Sequence, residues 1–557
     1  MGSVVGGIRF HSGSEQRGST FTGELEEIVA KRSSDRRFIA WAALAGVIGG
    51  AVFLATAELF ALLFARSASP ILAVGGFVID IVPQPFKEFA IATFGEYDKI
   101  ALLAGLGLAV TIASAIAGVL QLVRPPLGVI ALVIAGVLST AAIVTRAGVA
   151  PLAFLPPVLG TVIGSFLLVL LVRRLRAWRA STAPSDGDQT EPIVDTPSAP
   201  KELNRRKFFV LAALAGASAV VIGITARTVS MAVSSVETIR KALKLPPPRT
   251  KVTVPDGAEL DVPGLSKLFT PNDDFYRVDT ALTVPTIDPD TWRLVIDGMV
   301  DQRVELSFQD ILDMGVDEYG ITLTCVSNEV GGELVGNAMW LGVPLRDVLR
   351  KAGVKSGADM VLSRSVDGYT ASTPLAALVD DELDAILAIG MNGEPLPLEH
   401  GFPVRMVVPG LYGYVSATKW LTELKVTTFA ADEAYWTPRG YSAEAPIKFS
   451  SRLDTPSIGE AVPAGRIPIA GVAWAQSVGI ERVEVRIDEG EWMPATLSTP
   501  INDDTWVQWF MEWDATPGTH YVAVRAVNKD GDLQIEERAP IAPNGSSGWQ
   551  RSLIRVT

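Results

Sequence analysis

Long apolar runs dominate the chain from Phe38 to Val172, and one more follows after a polar stretch. A helix of about 20 such residues, rising about 1.5 Å per residue, crosses about 30 Å of hydrocarbon. We therefore predict five membrane-spanning helices, at Phe38–Ala65, Ile100–Val123, Leu127–Val144, Leu152–Val172 and Phe208–Val233. The shorter run Ile71–Val82 contains Asp80 and ends at Pro83, which favours a re-entrant or interfacial segment. Small-residue patterns such as Gly105-Leu106-Gly107 predict close contacts between helices.

Clusters of lysine and arginine set the predicted orientation of these helices. With five crossings, all the clusters fall on one side of the membrane, which the positive-inside rule makes the cytoplasmic side. The clusters are Lys31–Arg37, Arg124, Arg173–Arg179 and Arg205–Lys207. We therefore predict a multi-pass protein of the cell membrane with a cytoplasmic N-terminus and an extracytoplasmic C-terminal half.

Residues 180–204 are polar and rich in proline, which predicts a disordered cytoplasmic linker. The linker ends at Asn204-Arg205-Arg206-Lys207-Phe208-Phe209, where an arginine pair precedes an apolar helix. This motif resembles a twin-arginine export signal, although an ordinary positively charged flank explains the same residues. Export of an already folded domain would suit an enzyme that receives its cofactor in the cytoplasm.

The chain from Lys251 onward has the mixed, tryptophan-bearing composition of a water-soluble protein. The net charge of −13 and the lack of a phosphate-cradling glycine motif argue against a nucleic-acid partner. After about Thr455, short alternating strands separated by turns predict an immunoglobulin-like β-sandwich. These strands are Ile467–Trp474, Ile480–Ile487, Gln508–Trp513, Thr519–Val527 and Ser552–Val556.

Cys325 is the only cysteine, and it ends a strand-like run that breaks into a glycine-rich turn at Glu329-Val330-Gly331-Gly332. It could be a small core residue, a nucleophile or a soft ligand for a metal or metal cofactor. As a nucleophile it would need a basic histidine, for which His400 is the plausible candidate among three histidines. No cysteine–histidine cluster has zinc or iron–sulfur spacing, so a metal here would need a prosthetic group to complete its ligands.

Four further segments, one before Cys325 and three after it along the chain, contain residue types that are typical of a cofactor site. They are Pro271–Val278, Asn337–Leu345 with a helix that places Leu345, Val348 and Leu349 on one face, His400–Pro409 and Tyr412–Leu421. Together with the cysteine strand they resemble the sulfite oxidase family of molybdenum enzymes, over roughly Leu260–Thr557. The resemblance implies that Cys325 binds molybdenum, whose remaining ligands come from the dithiolene of molybdopterin and from oxo groups.

The same resemblance implies the other site residues. The residues assigned to catalysis are Cys325, Tyr412 and Asn328. Those assigned to cofactor binding are Asn272, Phe275, Tyr276, Cys325, Ser365, His400, Arg405, Ser416, Ala417, Thr418 and Lys419. Alternative roles remain open: His400 as a loop cap, Arg405 in an ordinary ion pair, and Tyr276, Tyr412 and Trp420 as core aromatics.

The substrate is less clearly indicated than the cofactor. Animal and plant sulfite oxidases carry arginines shortly after the cysteine, whereas this chain has Asn328, Glu329 and Val330. An acidic residue beside the metal would repel sulfite, so we expect oxygen-atom transfer with another small-molecule oxo-donor or oxo-acceptor, such as a neutral sulfoxide.

No predicted span contains a histidine, and the chain has no haem-attachment or iron–sulfur motif. We therefore expect no haem and no iron–sulfur cluster, and a separate redox partner: a quinone, a cytochrome or a membrane subunit. The β-sandwich could form a homodimer. The alternative is a membrane-tethered recognition protein built on a cofactor-free scaffold of the same fold.

The predicted fold is multi-domain: an α-helical transmembrane bundle, a mixed α+β sulfite-oxidase-type molybdopterin domain and an immunoglobulin-like β-sandwich. The predicted segments are a cytoplasmic N-terminal segment at 1–37, a transmembrane domain at 38–179, the linker at 180–204, a fifth transmembrane helix with its twin-arginine-like start at 205–235, the catalytic domain at 236–454 and the dimerisation-type sandwich at 455–557.

Overall fold

The computed structural model describes residues 16–64, 70–82, 93, 98–144, 152–182, 205–218, 234–457, 459 and 461–557. The chain divides into two compact units, Met1–Met231 and Ala232–Thr557. The predicted boundary between the catalytic domain and the sandwich lies inside the second unit and stays a prediction.

The first unit is helical. Its helices are α1 Gln16–Phe64, α2 Pro70–Ile81, α3 Asp98–Val123, α4 Leu127–Val144, α5 Leu155–Thr182 and α6 at residues 205–218. Four segments are long and apolar enough to cross a membrane by length and composition: Arg36–Ala61, Ile100–Val123, Leu127–Val144 and Leu155–Thr182. They confirm the helical structure of the first four predicted spans. Residues 1–15 of the N-terminal segment, 183–204 of the linker and 219–233 of the fifth span lie outside the described residues.

Small residues bring α1 and α3 into contact. A Cβ added at Gly46 would collide with the backbones of Ser114 and Gly118, and one added at Gly118 would collide with those of Ala42 and Gly46. A Cβ added at either glycine of the predicted Gly105–Gly107 pattern would meet no other described atom within 4 Å. Within the described residues this pattern therefore makes no close contact, because spacing alone does not reveal which face of a helix meets its neighbour.

The arginine–phenylalanine motif at the start of α6 belongs to the same bundle. Phe208 is completely buried, and the rings of Phe208 and Phe209 pack against Trp41 of α1 and Trp178 of α5 at centroid distances of 4.8–6.4 Å. The guanidinium of Arg205 lies 5.9 Å from the Trp178 ring. These aromatic contacts fix the first turns of α6 against α1 and α5.

The second unit begins with α7, Ser234–Ala242, and continues with one mixed sheet and one antiparallel sheet. The first sheet has the order β2-β1-β10-β5-β6, with β1 Arg293–Gly298, β2 Val304–Ser307, β5 Met360–Ser365, β6 Thr370–Pro374 and β10 Leu421–Thr427. The second has the order β3-β4-β7-β8, with β9 paired to β7; its strands are β3 Asp317–Thr324, β4 Val335–Pro344, β7 Ile386–Met391, β8 Glu394–Pro395 and β9 Arg405–Val407.

Short helices connect these strands. They are α8 Phe308–Asp313, α9 Leu345–Ala352, α10 Leu375–Val379 and α11 Gly413–Ser416. Helix α9 buries Leu345, Val348 and Leu349, which confirms the predicted apolar face. One apolar core, which includes Ile296 of β1, Leu387 of β7 and residues of α9, joins both sheets. The sheets are thus held rigidly enough to position the loops at their ends.

Two further sheets form a β-sandwich. One has the order β11-β13-β17-β16 and the other β12-β19-β18-β14-β15. The strands are β11 Ser450–Thr455, β12 Ala461–Val462, β13 Gly465–Trp474, β14 Ile480–Ile487, β15 Met493–Pro494, β16 Thr496–Leu497, β17 Val507–Ala515, β18 Gly518–Asn528 and β19 Gln550–Val556. Buried residues of both sheets share one core around Trp509. Strand β11 of the first of these sheets ends at Thr455.

Candidate functional site

A cavity with about 930 Å³ of empty space, part of it open to solvent, lies beside Cys325 in the second unit. Eight of the thirteen predicted site residues line it: Phe275, Tyr276, Cys325, Ser365, His400, Arg405, Ala417 and Lys419. They come from loops and strand ends that are far apart in the sequence, so the fold brings most of the predicted site together.

Cys325 directly follows β3 and is 8% exposed. Its backbone N–H donates to the carbonyl of Leu334 at 2.9 Å, and its own carbonyl accepts from the N–H of Asn328 at 3.0 Å. Burial raises the pKa of the Cys325 thiol. No group of three or more His, Cys, Asp or Glu side chains in the described part of the chain could hold a metal ion. A metal at this thiol would therefore take its other ligands from a bound group.

Arg405 is a buried cation without an acid partner among the described residues. Its side chain is enclosed in the second unit, where the residue is 5% exposed. It donates only to backbone carbonyls, those of His400 at 3.1 Å, Met406 at 3.3 Å and Ala417 at 3.4 Å. Burial lowers the pKa of Arg405 to about 10. The alternative of an ordinary ion pair is therefore wrong, and an anion in the cavity would supply the missing countercharge.

Lys419, the second cation of the cavity, does have a carboxylate partner. Its Nζ donates to Asp279 Oδ2 at 2.8 Å and to the carbonyl of Glu399 at 3.0 Å. Burial lowers the pKa of Lys419 to about 8, although Asp279 acts in the opposite direction. The sequence did not indicate Asp279, because only the folded chain brings it to Lys419. The amine is held in place yet close to losing its charge in neutral to mildly alkaline solution.

His400 is neutral at ordinary pH and acts as a structural donor. Burial and the neighbouring Arg405 lower its pKa to about 4. Its Nε2 lies 3.0 Å from the carbonyl oxygen of Asn272, so this nitrogen carries the proton and donates. The ring also meets Phe275 edge-on at 5.6 Å. This arrangement links two of the predicted cofactor-binding loops.

Ser365 is a buried residue on the cavity wall, and its hydroxyl has no hydrogen-bond partner within the described part of the chain. Buried hydroxyls are nearly always paired, so an unpaired one beside a cavity indicates a missing ligand. Together with the Cys325 thiol and the Arg405 charge, Ser365 fits a bound group that has both sulfur-coordinated metal and anionic oxygen. The residues present therefore fit a phosphorylated metal cofactor.

Five predicted residues do not line the cavity: Asn272, Asn328, Tyr412, Ser416 and Thr418. Their side chains bond to the surrounding loops instead. Asn272 donates to Glu394 Oε1 at 2.7 Å, and the hydroxyl of Ser416 donates to the carbonyls of Leu411 and Tyr412 at 3.0 Å. The Thr418 hydroxyl pairs with that of Ser363 at 2.7 Å. They shape the loops that carry the wall residues.

The two non-cysteine residues assigned to catalysis are both occupied structurally. Asn328 Oδ1 accepts from the N–H of Leu334 at 2.9 Å, which closes the turn after Cys325. Tyr412 is 4% exposed, and its hydroxyl accepts from the N–H of Lys448 at 3.4 Å. Burial raises the pKa of Tyr412 to about 12. Glu329, which was expected beside the metal, is exposed and does not line the cavity, so direct repulsion of sulfite by Glu329 is wrong.

The β-sandwich holds the turn that follows Cys325. The hydroxyl of Ser546 donates to the Asn328 carbonyl at 2.6 Å, and Arg452 Nη1 donates to the Gly332 carbonyl at 3.1 Å. Gly331 has a φ of 82°, and a Cβ there would strike the side chain of Gln550. Residues from strands β11 and β19 and from the loop before β19 therefore define the conformation of this turn.

An aromatic wall, formed by Tyr369, Tyr414, Trp436 and Tyr441, completes the cavity. Successive rings meet edge-on or tilted: Tyr414 and Tyr441 at 5.6 Å, and Trp436 and Tyr441 at 5.1 Å. The sequence analysis does not predict Tyr369, Trp436 or Tyr441 as site residues, and it includes Tyr414 only as part of the segment Tyr412–Leu421. The aromatic-rich stretch Tyr435–Tyr441 was the available signal.

A buried thiol and a buried cation without an acid partner among the described residues border one cavity, which suits a bound metal cofactor. Residues 281–436 match the family described as "Oxidoreductase molybdopterin binding domain". Human mitochondrial sulfite oxidase is 32% identical over 342 residues, which cover 52% of this chain and 62% of that protein. Sulfite oxidase of Arabidopsis thaliana is 28% identical over 355 residues, covering 52% and 89%. Among solved structures, the sulfane dehydrogenase SoxCD of Paracoccus pantotrophus has a TM-score of 0.47 at 22% identity, covering 55% and 86%.

The second unit thus carries a molybdopterin-binding oxidoreductase domain, and the chain is similar to the sulfite oxidases. The matched segment spans 58% and 62% of the macaque and human sulfite oxidases.

Proposed function

We propose that this chain is a membrane-anchored, extracytoplasmic molybdenum-cofactor oxidoreductase that performs oxygen-atom transfer and exchanges electrons with a separate partner. The observation that carries the proposal is the position of Cys325, whose thiol borders the same cavity as the unpaired charge of Arg405. A soft thiolate suits molybdenum, and a buried guanidinium without an acid partner suits a phosphate.

Each wall residue then has a role toward the cofactor. Cys325 would bind the metal, Arg405 and Lys419 would hold the pterin phosphate, and the hydroxyl of Ser365 would donate to a cofactor oxygen or nitrogen. His400, held neutral, keeps the Asn272 loop in place through its Nε2 donor. When bound, the cofactor supplies two-electron oxygen-atom chemistry, while the protein fixes its position and excludes bulk water.

The first unit supports membrane anchoring through the residues it exposes. Leu108 of α3 is 63% exposed, Val137 of α4 62% and Phe166 of α5 70%. Water would leave such apolar side chains unfavourably solvated, whereas lipid would accept them. The lysine and arginine clusters support a cytoplasmic N-terminus and an extracytoplasmic catalytic domain. A twin-arginine-like export of the folded, cofactor-loaded domain agrees with this topology.

We further propose that electrons pass to a quinone, a cytochrome or a membrane subunit, because the apolar helices contain no histidine for haem b. An immunoglobulin-like sandwich that supports a homodimer is part of the same proposal. The cofactor-free recognition scaffold is disfavoured, since a scaffold without a ligand would not benefit from keeping Arg405 buried and unpaired.

Metal analysis with pterin fluorescence on the purified full-length protein tests the cofactor. We expect about one molybdenum and one pterin per chain in the wild type, and loss of the metal in Cys325→Ala. Cys325→Ser is the matched variant, because it preserves the volume but supplies a harder oxygen ligand and should lose the metal as well. A wild-type protein made with ample molybdenum that holds neither metal nor pterin would refute the proposal.

Reporter fusions test the topology independently of the chemistry. A reporter that is active only in the cytoplasm should be active when it is fused after Pro200. A reporter that is active only outside the cytoplasm should be active when it is fused after Lys251. The reverse pattern would place the catalytic domain in the cytoplasm and rule out the proposed count of crossings.

A further inference from the structure

The cavity has few cations to offer a substrate. Among the described residues that line the cavity, only Arg405 and Lys419 carry a positive charge at neutral pH. His400 also lines it, but burial lowers its pKa to about 4, so its ring is neutral there. Lys419 is already paired with Asp279. Arg405 is oriented by three backbone carbonyls toward the part of the wall formed by His400 and Ala417. Arg277 lies near His400 and Lys419, but it pairs with Asp279 at 2.9 Å and does not line the cavity. If Arg405 and Lys419 both serve the cofactor phosphate, as proposed above, no cation of the wall remains for a substrate anion.

The aromatic wall offers mainly the surfaces of its rings. The hydroxyl of Tyr369 donates to the carbonyl of Tyr414 at 2.7 Å, and the hydroxyl of Tyr414 donates to the carbonyl of Ser442 at 2.7 Å. Both phenols are therefore occupied, and they present ring carbon to the cavity. Trp436 and Tyr441, in contact at 5.1 Å, extend this surface from the loop that follows β10. Such a surface binds apolar groups well and hydrated anions poorly.

A carboxylate of the cavity wall also disfavours anionic substrates. Asp367 lines the same cavity, where one oxygen accepts from the Thr280 hydroxyl at 3.3 Å and the other from the N–H of Tyr369 at 3.3 Å. Both donors are uncharged and both distances are long, and no cation pairs with Asp367 among the described residues. An anion next to Asp367 and the aromatic wall would meet electrostatic repulsion as well as loss of hydration.

We propose that the substrates of this enzyme are uncharged organic compounds with a dipolar X–O group, where X is a heteroatom such as the sulfur of a sulfoxide. The X–O group would reach the metal site, and an apolar substituent of the same molecule would pack on Trp436 and Tyr441. Sulfite-like anions are excluded. This inference rests on the proposed function and names its substrate class. Trp436 and Tyr441 are the residues that determine specificity, and Asp367 is the residue that rejects anions.

Binding measurements on the detergent-purified full-length holoenzyme test the inference. Methyl phenyl sulfoxide serves as the uncharged probe and sulfate as a redox-inert anion, each titrated by calorimetry into samples of known molybdenum and pterin content. We expect saturable binding of the sulfoxide and none of sulfate. Trp436→Ala should weaken sulfoxide binding about tenfold, as loss of one aromatic partner does. Trp492→Ala, which removes a tryptophan of the sandwich that does not line the cavity, is the matched control and should leave it unchanged.

A gain-of-function variant covers the case in which Trp436→Ala does not fold. Asp367→Lys exchanges the rejecting carboxylate for a cation and should create measurable sulfate binding, with at least about a tenfold gain over the wild type. The inference is overturned if the cofactor-loaded wild type binds sulfate more tightly than the sulfoxide, or if Trp436→Ala and Trp492→Ala behave alike. Samples without molybdenum and pterin would refute the proposed function itself, and with it the inference, so the two failures are distinguishable.

Discussion

The two units place their large apolar and their charged side chains in opposite ways. The helical unit exposes Leu108 and Phe166 and buries small residues where helices touch, such as Gly46 and Gly118. The second unit buries its large apolar residues in cores, and it also buries a charge, that of Arg405, without an acid partner among the described residues. In the first unit, small buried residues therefore mark helix contacts and large exposed ones form an apolar surface, whereas in the second unit the buried charge lies beside a cavity.

The largest expected effect concerns the buried arginine. Arg405→Met should lower pterin retention about a hundredfold, because it removes two charge-assisted hydrogen bonds of about 1.5 kcal/mol each to the phosphate. Retention is measured as pterin per chain after dilution and gel filtration. Arg466→Met is the control, since Arg466 is exposed and pairs with Glu512 on the sandwich surface. Equal retention in both variants would mean that the burial of Arg405 serves packing, and the contrast between the units would disappear.

The helical side of the comparison is tested by glycine replacements in α3. Gly118→Leu should destabilise the bundle by about 2 kcal/mol, because overpacking of a tight contact costs about 1–3 kcal/mol. Gly105→Leu is the matched control, as no atom of the described residues lies within 4 Å of a Cβ there. The measurement is unfolding of the full-length protein in mixed micelles, followed by helical circular dichroism. A larger effect from Gly105→Leu would show that α3 contacts its neighbours through its other face.

Lys419 predicts a pH dependence in the second unit. Burial places its pKa at about 8, below the ordinary 10.5, so the positive charge is present below pH 8 and is lost as the pH rises through that value. Retention of the phosphate-bearing cofactor should therefore fall several-fold, by about three- to tenfold, between pH 7 and pH 9.5. Lys419→Arg keeps its charge over this range and should flatten the profile. A wild-type profile as flat as that of the variant would contradict a role for Lys419 in holding the phosphate.

Sequence patterns predicted the elements of the fold well and the directions of side chains less well. The apolar face of α9 and the strand before Cys325 follow from periodicity, which is local. Resemblance to a family located the loops of the site, yet Ser416 and Thr418 lie in the predicted motif with their hydroxyls turned to the surrounding loops. A motif reports closeness along the chain, whereas the orientation of a side chain depends on neighbours that the fold supplies.

The same reasoning explains what was missed. Asp279 meets Lys419 across 140 positions of sequence, and Trp436 reaches the cavity from a loop beyond β10. No local period encodes such contacts. The exposed position of Glu329 likewise follows from the tight turn after Cys325, which directs this side chain to solvent. Electrostatic arguments from sequence need this directional information before they can assign an attraction or a repulsion.

The smallest expected effect concerns the support that the sandwich gives to the cysteine turn. Ser546 donates to the Asn328 carbonyl at 2.6 Å, and Asn328 in turn donates its N–H to the Cys325 carbonyl. Loss of one such hydrogen bond costs about 1 kcal/mol, which corresponds to about a fivefold more frequent opening of the turn. In cofactor-free protein, Ser546→Ala should therefore raise the rate of maleimide labelling at the buried Cys325 about fivefold.

The neighbouring residue provides the control for this experiment. Ser547 donates to the Glu537 carbonyl at 2.8 Å in an exposed loop, so Ser547→Ala removes a hydroxyl of the same kind without touching the turn. If only Ser546→Ala accelerates labelling, the sandwich helps to hold the Cys325 thiol in place, a role that would persist even in a monomer. Equal rates in the two variants would mean that the turn is held by Gln550 and Arg452 alone, because their contacts at Gly331 and Gly332 remain in both proteins.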